Sequence, residues 1–299
     1  MNKVAMKKVA LVTGASRGIG KAICAHLALR GYDIIVTSRS VQTRDVTPFP
    51  GTIMETASLV ESLGARALPV KCDVGKPEDV QGAVEKGIET FGRIDLLVNN
   101  ARHEGPSMWG MFVDLEPEEV TASVHCNLLG PILFCRLAAP HMIEQGGGMI
   151  INVTSGVLHA ARTVVPGDGI TGLMYPMTKT GLDALTFGLT PELREKNISV
   201  LGLQPGRTLV ERPTGAGPKY FGTNLATRLT VHVPATVVDF LVAHPDPLAF
   251  TGQIINAPAF VREHALMAPE EITMPFREGE IYDPYEEAYW KRLAAAGRS

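Results

Sequence analysis

The 299-residue chain is notable first for what it has little of. It holds four cysteines, Cys24, Cys72, Cys126 and Cys135, and none forms a Cys-x-x-Cys pair. Their gaps suit no zinc site, and the histidines show no ligand spacing either, so no metal is expected. Each cysteine lies in or beside an apolar stretch, which predicts buried thiols in a reducing, cytoplasmic setting. Charge of one sign is also missing: 28 Lys+Arg stand against 31 Asp+Glu, a formal net charge of −3. That balance carries no footprint for nucleic acid or an anionic membrane. No apolar run reaches the roughly 18 residues of a spanning helix. The best stretch, Leu128 to Ile143, is interrupted by Pro131, Arg136 and Pro140. Lys3, Lys7 and Lys8 could open a signal segment, but the apolar run after them is only Val9 to Val12, too short for a core of about 7–15 residues. There is no internal repeat and no low-complexity tract.

What the chain does have is the balance of a globular protein, with 45% apolar and 20% charged residues. A chain of this length buries roughly 75% of its unfolded surface and needs no staples. Short apolar runs at Val9–Val12, Ile34–Thr37, Ala67–Val70, Ile94–Val98, Met149–Val153, Ile198–Leu203 and Ile254–Ile255 read as strands. Between them, helical patterns cover Ile19–Leu29, Thr52–Leu63, Pro77–Thr90, Glu118–Ile143 and Thr178–Lys196. His26, His125 and His141 fall inside helical patterns and are expected to be structural. Alternation of strand and helix without hairpin signals predicts an α/β protein, a parallel sheet with helices on both faces. Ligands then bind at the carboxyl ends of the strands. Two stretches break the rhythm: the polar Val41–Gly51 and the acid- and aromatic-rich Val261–Ser299.

The chemistry concentrates at strand ends. Thr13-Gly14-Ala15-Ser16-Arg17-Gly18-Ile19-Gly20 joins the first strand to the first helix. Glycines let the backbone turn and approach a pyrophosphate, and the helix N-terminus supplies N–H groups and a positive dipole end. The second strand ends in Ser38-Arg39, with no acid. An acid there would hold a ribose 2′-hydroxyl; an arginine suits a 2′-phosphate, and Arg17 adds a second cation. NADP(H) is therefore favoured over NAD(H). Tyr175 and Lys179 lie four residues apart on one helix face. A free phenol titrates near pKa ~10, and a neighbouring ammonium favours its ionised form, making it usable as an acid or base. Ser155 ends the fifth strand and can hydrogen-bond a substrate oxygen. Asn127 sits four residues before Pro131, which has no N–H to donate to the Asn127 carbonyl. That carbonyl could instead hold a water linked to Lys179.

Together these residues resemble the short-chain dehydrogenase/reductase family over roughly residues 7–260, joined by Asp73, Asn99-Asn100-Ala101 and Pro205-Gly206 in the matching order. The resemblance implies a single-domain, three-layer αβα fold, doubly wound and Rossmann-type, over residues 1–260. Residues 261–299 are then an extension docking on the domain or on a partner subunit. It implies that Tyr175 exchanges a proton, Ser155 orients the substrate oxygen, Lys179 acts on Tyr175 and on the nicotinamide ribose, and Asn127 holds the relay water. Gly14, Ser16, Arg17, Gly18, Ile19, Gly20, Ser38, Arg39, Asp73, Val74, Asn99, Ala101, Pro205, Gly206 and Thr208 become the candidate cofactor contacts, with Asp73 and Val74 at the adenine and Asn99 near its ribose. A homodimer or homotetramer is implied as well.

Three positions depart from the family pattern. Arg102 replaces the usual glycine after Ala101; it either meets a phosphate or an acidic substrate or points to solvent, and solvent is expected. Ser155 and Tyr175 are 20 residues apart, a longer gap than usual, so His159–Met174 is expected to shape the pocket. Val210 stands where the family has Thr, with Thr208 two positions earlier. Met108–Phe112, Leu173-Met174 and Tyr220-Phe221 are candidate pocket walls, suited to an apolar or aromatic carbonyl, and Glu211–Thr223 is a candidate lid. The expected function is NADP(H)-dependent reduction of an apolar ketone or aldehyde. An NAD-dependent alcohol dehydrogenase and a dinucleotide-binding regulator without turnover stay open.

Overall fold

In the computed structural model of the chain, the described residues are 6–42, 50–156, 171–210, 228–273 and 290. Seven strands are all parallel: β1 (Val9–Thr13), β2 (Asp33–Ser38), β3 (Ala67–Lys71), β4 (Leu96–Asn99), β5 (Gly148–Val153), β6 (Ile198–Gln204) and β7 (Ile254–Asn256). They lie in the order β3-β2-β1-β4-β5-β6-β7. The order reverses between β1 and β4, and in open sheets of this kind the crevice beyond that reversal is where ligands bind.

The helices are α1 (Gly18–Leu29), α2 (Ile53–Ser62), α3 (Pro77–Phe91), α4 (Pro117–Val124), α5 (Gly130–Glu144), α6 (Met174–Arg194), α7 (His232–Ala243), α8 (Ala257–Glu263) and α9 (Pro269–Ile272). Strand residues alternate between two cores, as the period of two requires. Ala10, Val12, Val36, Val98 and Ile151 pack with α1, α2, α7 and α8 on one face. Val9, Leu11, Ile35, Leu97 and Ile150 pack with α3, α5 and α6 on the other. Both faces are apolar, so the strands read as continuous hydrophobic runs. Local signals set several boundaries. Thr52 caps α2 by accepting from the Glu55 N–H at 3.1 Å, and Gly92, at φ 75°, ends α3.

Three differences from the sequence reading have physical causes. The helical pattern Glu118–Ile143 is not one α-helix. α4 and α5 are separated by a π turn, His125–Leu129, in which the Gly130 N–H bonds to the His125 carbonyl five residues back. Pro131 lies just past this turn, where its missing N–H is accommodated by the widened ladder. α6 begins at Met174 rather than Thr178. Pro176 lies in its first turn, where a proline N–H is not needed, so Tyr175 belongs to the helix. α7 was not anticipated because it is apolar on nearly all sides and rich in valine, a pattern that suits a strand equally well.

The chain beyond β7 joins the same core. α8 crosses the boundary expected at residue 260, and Val261 and Ile272 are buried among the α7 side chains. Thr273 makes an antiparallel bridge to Leu229. Further on, Trp290 is buried with its ring edge-on to His26 of α1 and His232 of α7, at 5.6 and 5.3 Å between centroids. The remainder of the tail, with Tyr285 and Tyr289, lies outside the described residues. Cys24, Cys72 and Cys135 are buried free thiols and Cys126 is half-buried.

Burial, reinforced by the Arg30 charge, lowers the His26 pKa from 6.5 to about 3. The folded pKa is depressed, so below pH 6.5 the unfolded chain binds a proton that folded His26 refuses. Stability is present above that pH and is lost as pH falls toward 3. The expected loss from this one group approaches about 1.4 kcal/mol per pH unit at the steepest. Denaturant midpoints at pH 7 and about pH 5 should therefore fall further for the wild type than for His26→Gln. Equal falls in the two proteins would mean that His26 does not govern acid stability.

Candidate active site

The site is built on a lock between the chain ends leaving β1 and β4. The Thr13 hydroxyl donates to the Val98 carbonyl at 3.3 Å and accepts from the Asn100 and Ala101 N–H groups at 3.0 Å each. The Asn100 amide donates back to the Thr13 and Gly14 carbonyls at 2.8 and 3.2 Å. The two backbones approach so closely that a Cβ on Gly14, at φ +64°, would lie 2.7 Å from the Ala101 Cα. Gly20 is equally constrained, since a Cβ there would meet the Asn100 amide at 2.6 Å. No other residue type fits either position without moving backbone.

Above this lock lies a cleft of about 600 Å³ along the carboxyl ends of the strands. Gly14, Ser16, Arg17, Gly18 and Ile19 form one wall with the N-terminus of α1, and Ser38, Arg39 and Ser40 continue it at the end of β2. Arg17 donates to the Ser40 hydroxyl at 3.0 Å, and Ser38 donates to the Ser16 hydroxyl at 3.1 Å. Two guanidinium groups and three hydroxyls thus gather at the tip of β2. Glu104, the one carboxylate residue among the described lining, belongs to the other end of the cleft, beside Arg102. Val74 lines the same cleft. The Cys126 thiol there is pushed up to about 11 by burial, with the Arg39 charge working against the shift. A bare glycine cradle at a helix N-terminus, flanked by cations, fits the phosphates of a dinucleotide.

At the other end, Ser155, Tyr175 and Lys179 line the cleft together, from β5 and α6. Lys179 is 2% exposed, and its ammonium donates to the Val153 carbonyl at 2.6 Å. It also lies 5.9 Å from the Tyr175 ring centroid. Burial lowers the Lys179 pKa; the Tyr175 phenol opposes that shift and the Arg102 charge adds to it. Pro205, Gly206, Thr208 and Val210 form the wall beyond β6, with the Thr208 hydroxyl donating to the Pro205 carbonyl at 3.2 Å.

Asn127 is not part of the lining; it is buried between α4, α6 and the segment after β4. Its Oδ1 accepts from the His103 N–H at 2.7 Å, and its Nδ2 donates to the Thr178 and Ser123 hydroxyls at 3.2 and 3.4 Å. The side chain therefore ties the segment after β4 to α4 and α6. Asn99 is 2% exposed and turned into the sheet, donating to Asn152 Oδ1 at 2.9 Å. The next asparagine, Asn100, lines the cleft instead, because successive strand positions face opposite ways. Asp73 turns its carboxylate back to the Gly75 N–H at 3.1 Å, and Cys72 and Val74 on either side reach the lining.

Arg102 requires a correction. It does not point to solvent: its side chain lines the cleft, 29% exposed, paired with Glu104 at 2.5 Å. The Tyr175 phenol, on the same lining, helps to hold the Arg102 charge. The lock at Thr13 and the Asn127 grip on His103 fix the backbone on both sides of residue 102 and leave its side chain facing inward. Among the expected pocket walls, Met108 and Trp109 line the cleft. Met111, Phe112 and Leu173 do not; they are exposed, and Met174 is buried in the core. Most of the long Ser155–Tyr175 connection, Tyr220-Phe221 and the candidate lid Glu211–Thr223 lie outside the described residues. Gln204, Arg207, Arg228 and Asn256 line the cleft without having been singled out in the sequence, where they carry no motif of their own.

Comparison with known proteins agrees with this geometry. The family model described as short chain dehydrogenase matches residues 8–216. An uncharacterized oxidoreductase of Methylorubrum extorquens is 32% identical over 85% of this chain and 98% of its own length. The human 3-oxoacyl-[acyl-carrier-protein] reductase is 34% identical over 67% of this chain and 76% of its own. Among solved structures, a short chain dehydrogenase from Burkholderia cenocepacia in complex with NADP superposes with a TM-score of 0.66. It shares 27% identity, over 84% of this chain and 96% of that one. With the strand order, the glycine cradle and the serine–tyrosine–lysine grouping, these matches establish that the chain belongs to the short-chain dehydrogenase family and is an oxidoreductase acting on CH-OH or carbonyl groups.

Proposed function

We propose that the protein is an NADP(H)-dependent reductase of ketones or aldehydes, with Tyr175 as its general acid and base. The observation that carries the reading is the shared cleft: Ser155, Tyr175 and Lys179 line one end, and Arg17 and Arg39 line the end where a 2′-phosphate would be met. The Burkholderia relative, in complex with NADP, supports the cofactor class. When bound, the nicotinamide supplies the hydride in reduction and takes it in oxidation. The residues of this chain do the rest. Gly14 to Gly20 would hold the pyrophosphate against the α1 N-terminus, and Arg17, Arg39 and the Ser16, Ser38 and Ser40 hydroxyls would hold the 2′-phosphate. Ser155 would donate to the substrate oxygen and fix its place beside Tyr175. In reduction, Tyr175 gives its phenolic proton to that oxygen as the carbonyl carbon becomes a carbinol.

The buried Lys179 ammonium stands beside the tyrosine without displacing it, held on the Val153 carbonyl. The Tyr175 proton is replaced, in this reading, through a water on the main-chain carbonyl of Asn127, to which Pro131 has no N–H to donate. A homodimer or homotetramer in the cytoplasm belongs to the same proposal; Met177 and Phe187, exposed on α6 at 46% and 54%, support a covered face there. Physiological oxidation of an alcohol with NAD is the second reading, and the cofactor titration separates the two.

Two measurements test the proposal. Fluorescence titration should give tighter binding of NADPH than of NADH, and Arg39→Ala should weaken NADPH by about tenfold while leaving NADH unchanged. Equal or better NADH binding would move the assignment to NAD and return Arg39 to the solvated surface. Steady-state assays of Tyr175→Phe with an aromatic ketone should show kcat reduced by about 10²–10⁴ with the NADPH dissociation constant retained. A variant with wild-type kcat would remove Tyr175 from the chemistry.

A further inference from the structure

The proposed reaction gives Arg102 no task, yet its guanidinium stands at the reacting end of the cleft. The backbone there is held firmly. Ala101 is bonded to the Thr13 hydroxyl, and His103 donates its N–H to Asn127 while its ring lies 2.9 Å from the Glu119 carboxylate. The side chain is thereby aimed at Met108 and Glu104, on the lining it shares with Tyr175. Burial opposes its charge, and the Glu104 carboxylate and Tyr175 phenol together outweigh that opposition. A guanidinium is a flat fork of five donors, matched to a planar carboxylate. Glu104 already supplies one such carboxylate, and at 28% exposure it can swing away to solvent.

Charge points the same way. The described lining holds Arg17, Arg39, Arg102, Lys179, Arg207 and Arg228 against the single carboxylate of Glu104. Arg17 and Arg39 answer the phosphate at the β2 end, and Arg102 stands apart from them, near Tyr175 and Lys179. A substrate oxygen protonated by Tyr175 lies about 2.7 Å from the phenol oxygen. Arg102 lines the cleft near enough to that phenol to interact with it electrostatically, so an anion it grips sits close to the reacting carbon. Met108 and Trp109 offer an apolar wall for the rest of such a molecule.

We propose that Arg102 is a specificity-determining residue that recognises a substrate carboxylate one or two carbons from the reacting carbonyl, displacing Glu104 from its fork. The substrate class is thus an oxo acid with an apolar or aromatic body. The inference rests on the reductase reading, and its test separates the two.

Benzoylformate and its methyl ester share one carbon skeleton and differ in the carboxylate charge. The wild type should prefer the acid in kcat/KM, and Arg102→Met should reduce the acid-to-ester ratio by about tenfold or more. Arg102→Lys, which keeps the charge and loses the fork, should fall between them. Glu104→Gln keeps size and removes the internal competitor, so it should lower KM for the acid and leave the ester unaltered. An acid-to-ester ratio unchanged by Arg102→Met, or a KM for the acid unmoved by Glu104→Gln, would overturn the assignment. Calorimetric titration with benzoate, with and without NADPH, reads the same site without turnover. Benzoate should bind the wild type and bind Arg102→Met about tenfold more weakly; equal binding would overturn the proposal. If neither substrate is reduced by any of the proteins, the reductase reading fails, and the benzoate titration alone decides the role of Arg102.

Discussion

The close approach of the segments leaving β1 and β4 is the constraint on which the site depends. Parallel strands on either side of the topological reversal diverge above the sheet, and a crevice opens only if their continuations are kept apart at the top and together at the base. Thr13 and Asn100 do the second, with five hydrogen bonds between two short stretches of backbone. Gly14 makes the contact sterically possible. Every other feature of the cleft is indexed to this point. α1 starts from the same loop, and Ala101 delivers the chain to Arg102 and His103.

The two ends of the cleft are organised by different physics. At the β2 end, the half-buried Arg17, Ser38 and Arg39 stand beside the buried Ser16 and Ser40 hydroxyls, and electrostatics at a helix N-terminus governs affinity for a polyanion. At the α6 end, the governing fact is burial. Lys179 is a charged group almost without solvent contact, with a carbonyl as its hydrogen-bond partner and Arg102 close enough for repulsion to matter. A buried ammonium of this kind is stable only if its surroundings supply oxygen atoms, which is why the Val153 carbonyl and the Tyr175 phenol belong to one local unit.

Asn127 acts on the α6 end by a route the motif alone does not describe. Its side chain ties the β4 segment to α4 and α6. In the proposed reaction it is the main chain of Asn127, in a π turn, that takes part in proton movement. The π turn follows from an insertion of one residue's worth of ladder ahead of Pro131, a distortion of the kind that recurs at functional sites. The same packing holds the segment that aims Arg102 into the cleft, so the structural role of Asn127 and the inward turn of Arg102 have a common cause.

Much of this protein was legible in its residues. Short continuous apolar runs alternating with helical periods dictate a parallel sheet covered on both faces, because such strands have no polar face to show to water. That Gly14 to Ile19, Ser38-Arg39, Ser155, Tyr175 and Lys179 would gather at the carboxyl ends of the strands follows from the residues, because each lies at a strand end or on one helix face. What only the tertiary structure decided lies where distant segments meet. Which of Asn99 and Asn100 faces the cleft depends on strand parity at the edge of β4. α7 could have been a strand until α1 was there to bury it. The direction of Arg102 is invisible in the sequence, since an arginine after Asn-Asn-Ala has solvent available in every local conformation. It turns inward because Thr13 and Asn127, from two other parts of the fold, clamp the backbone on either side of it.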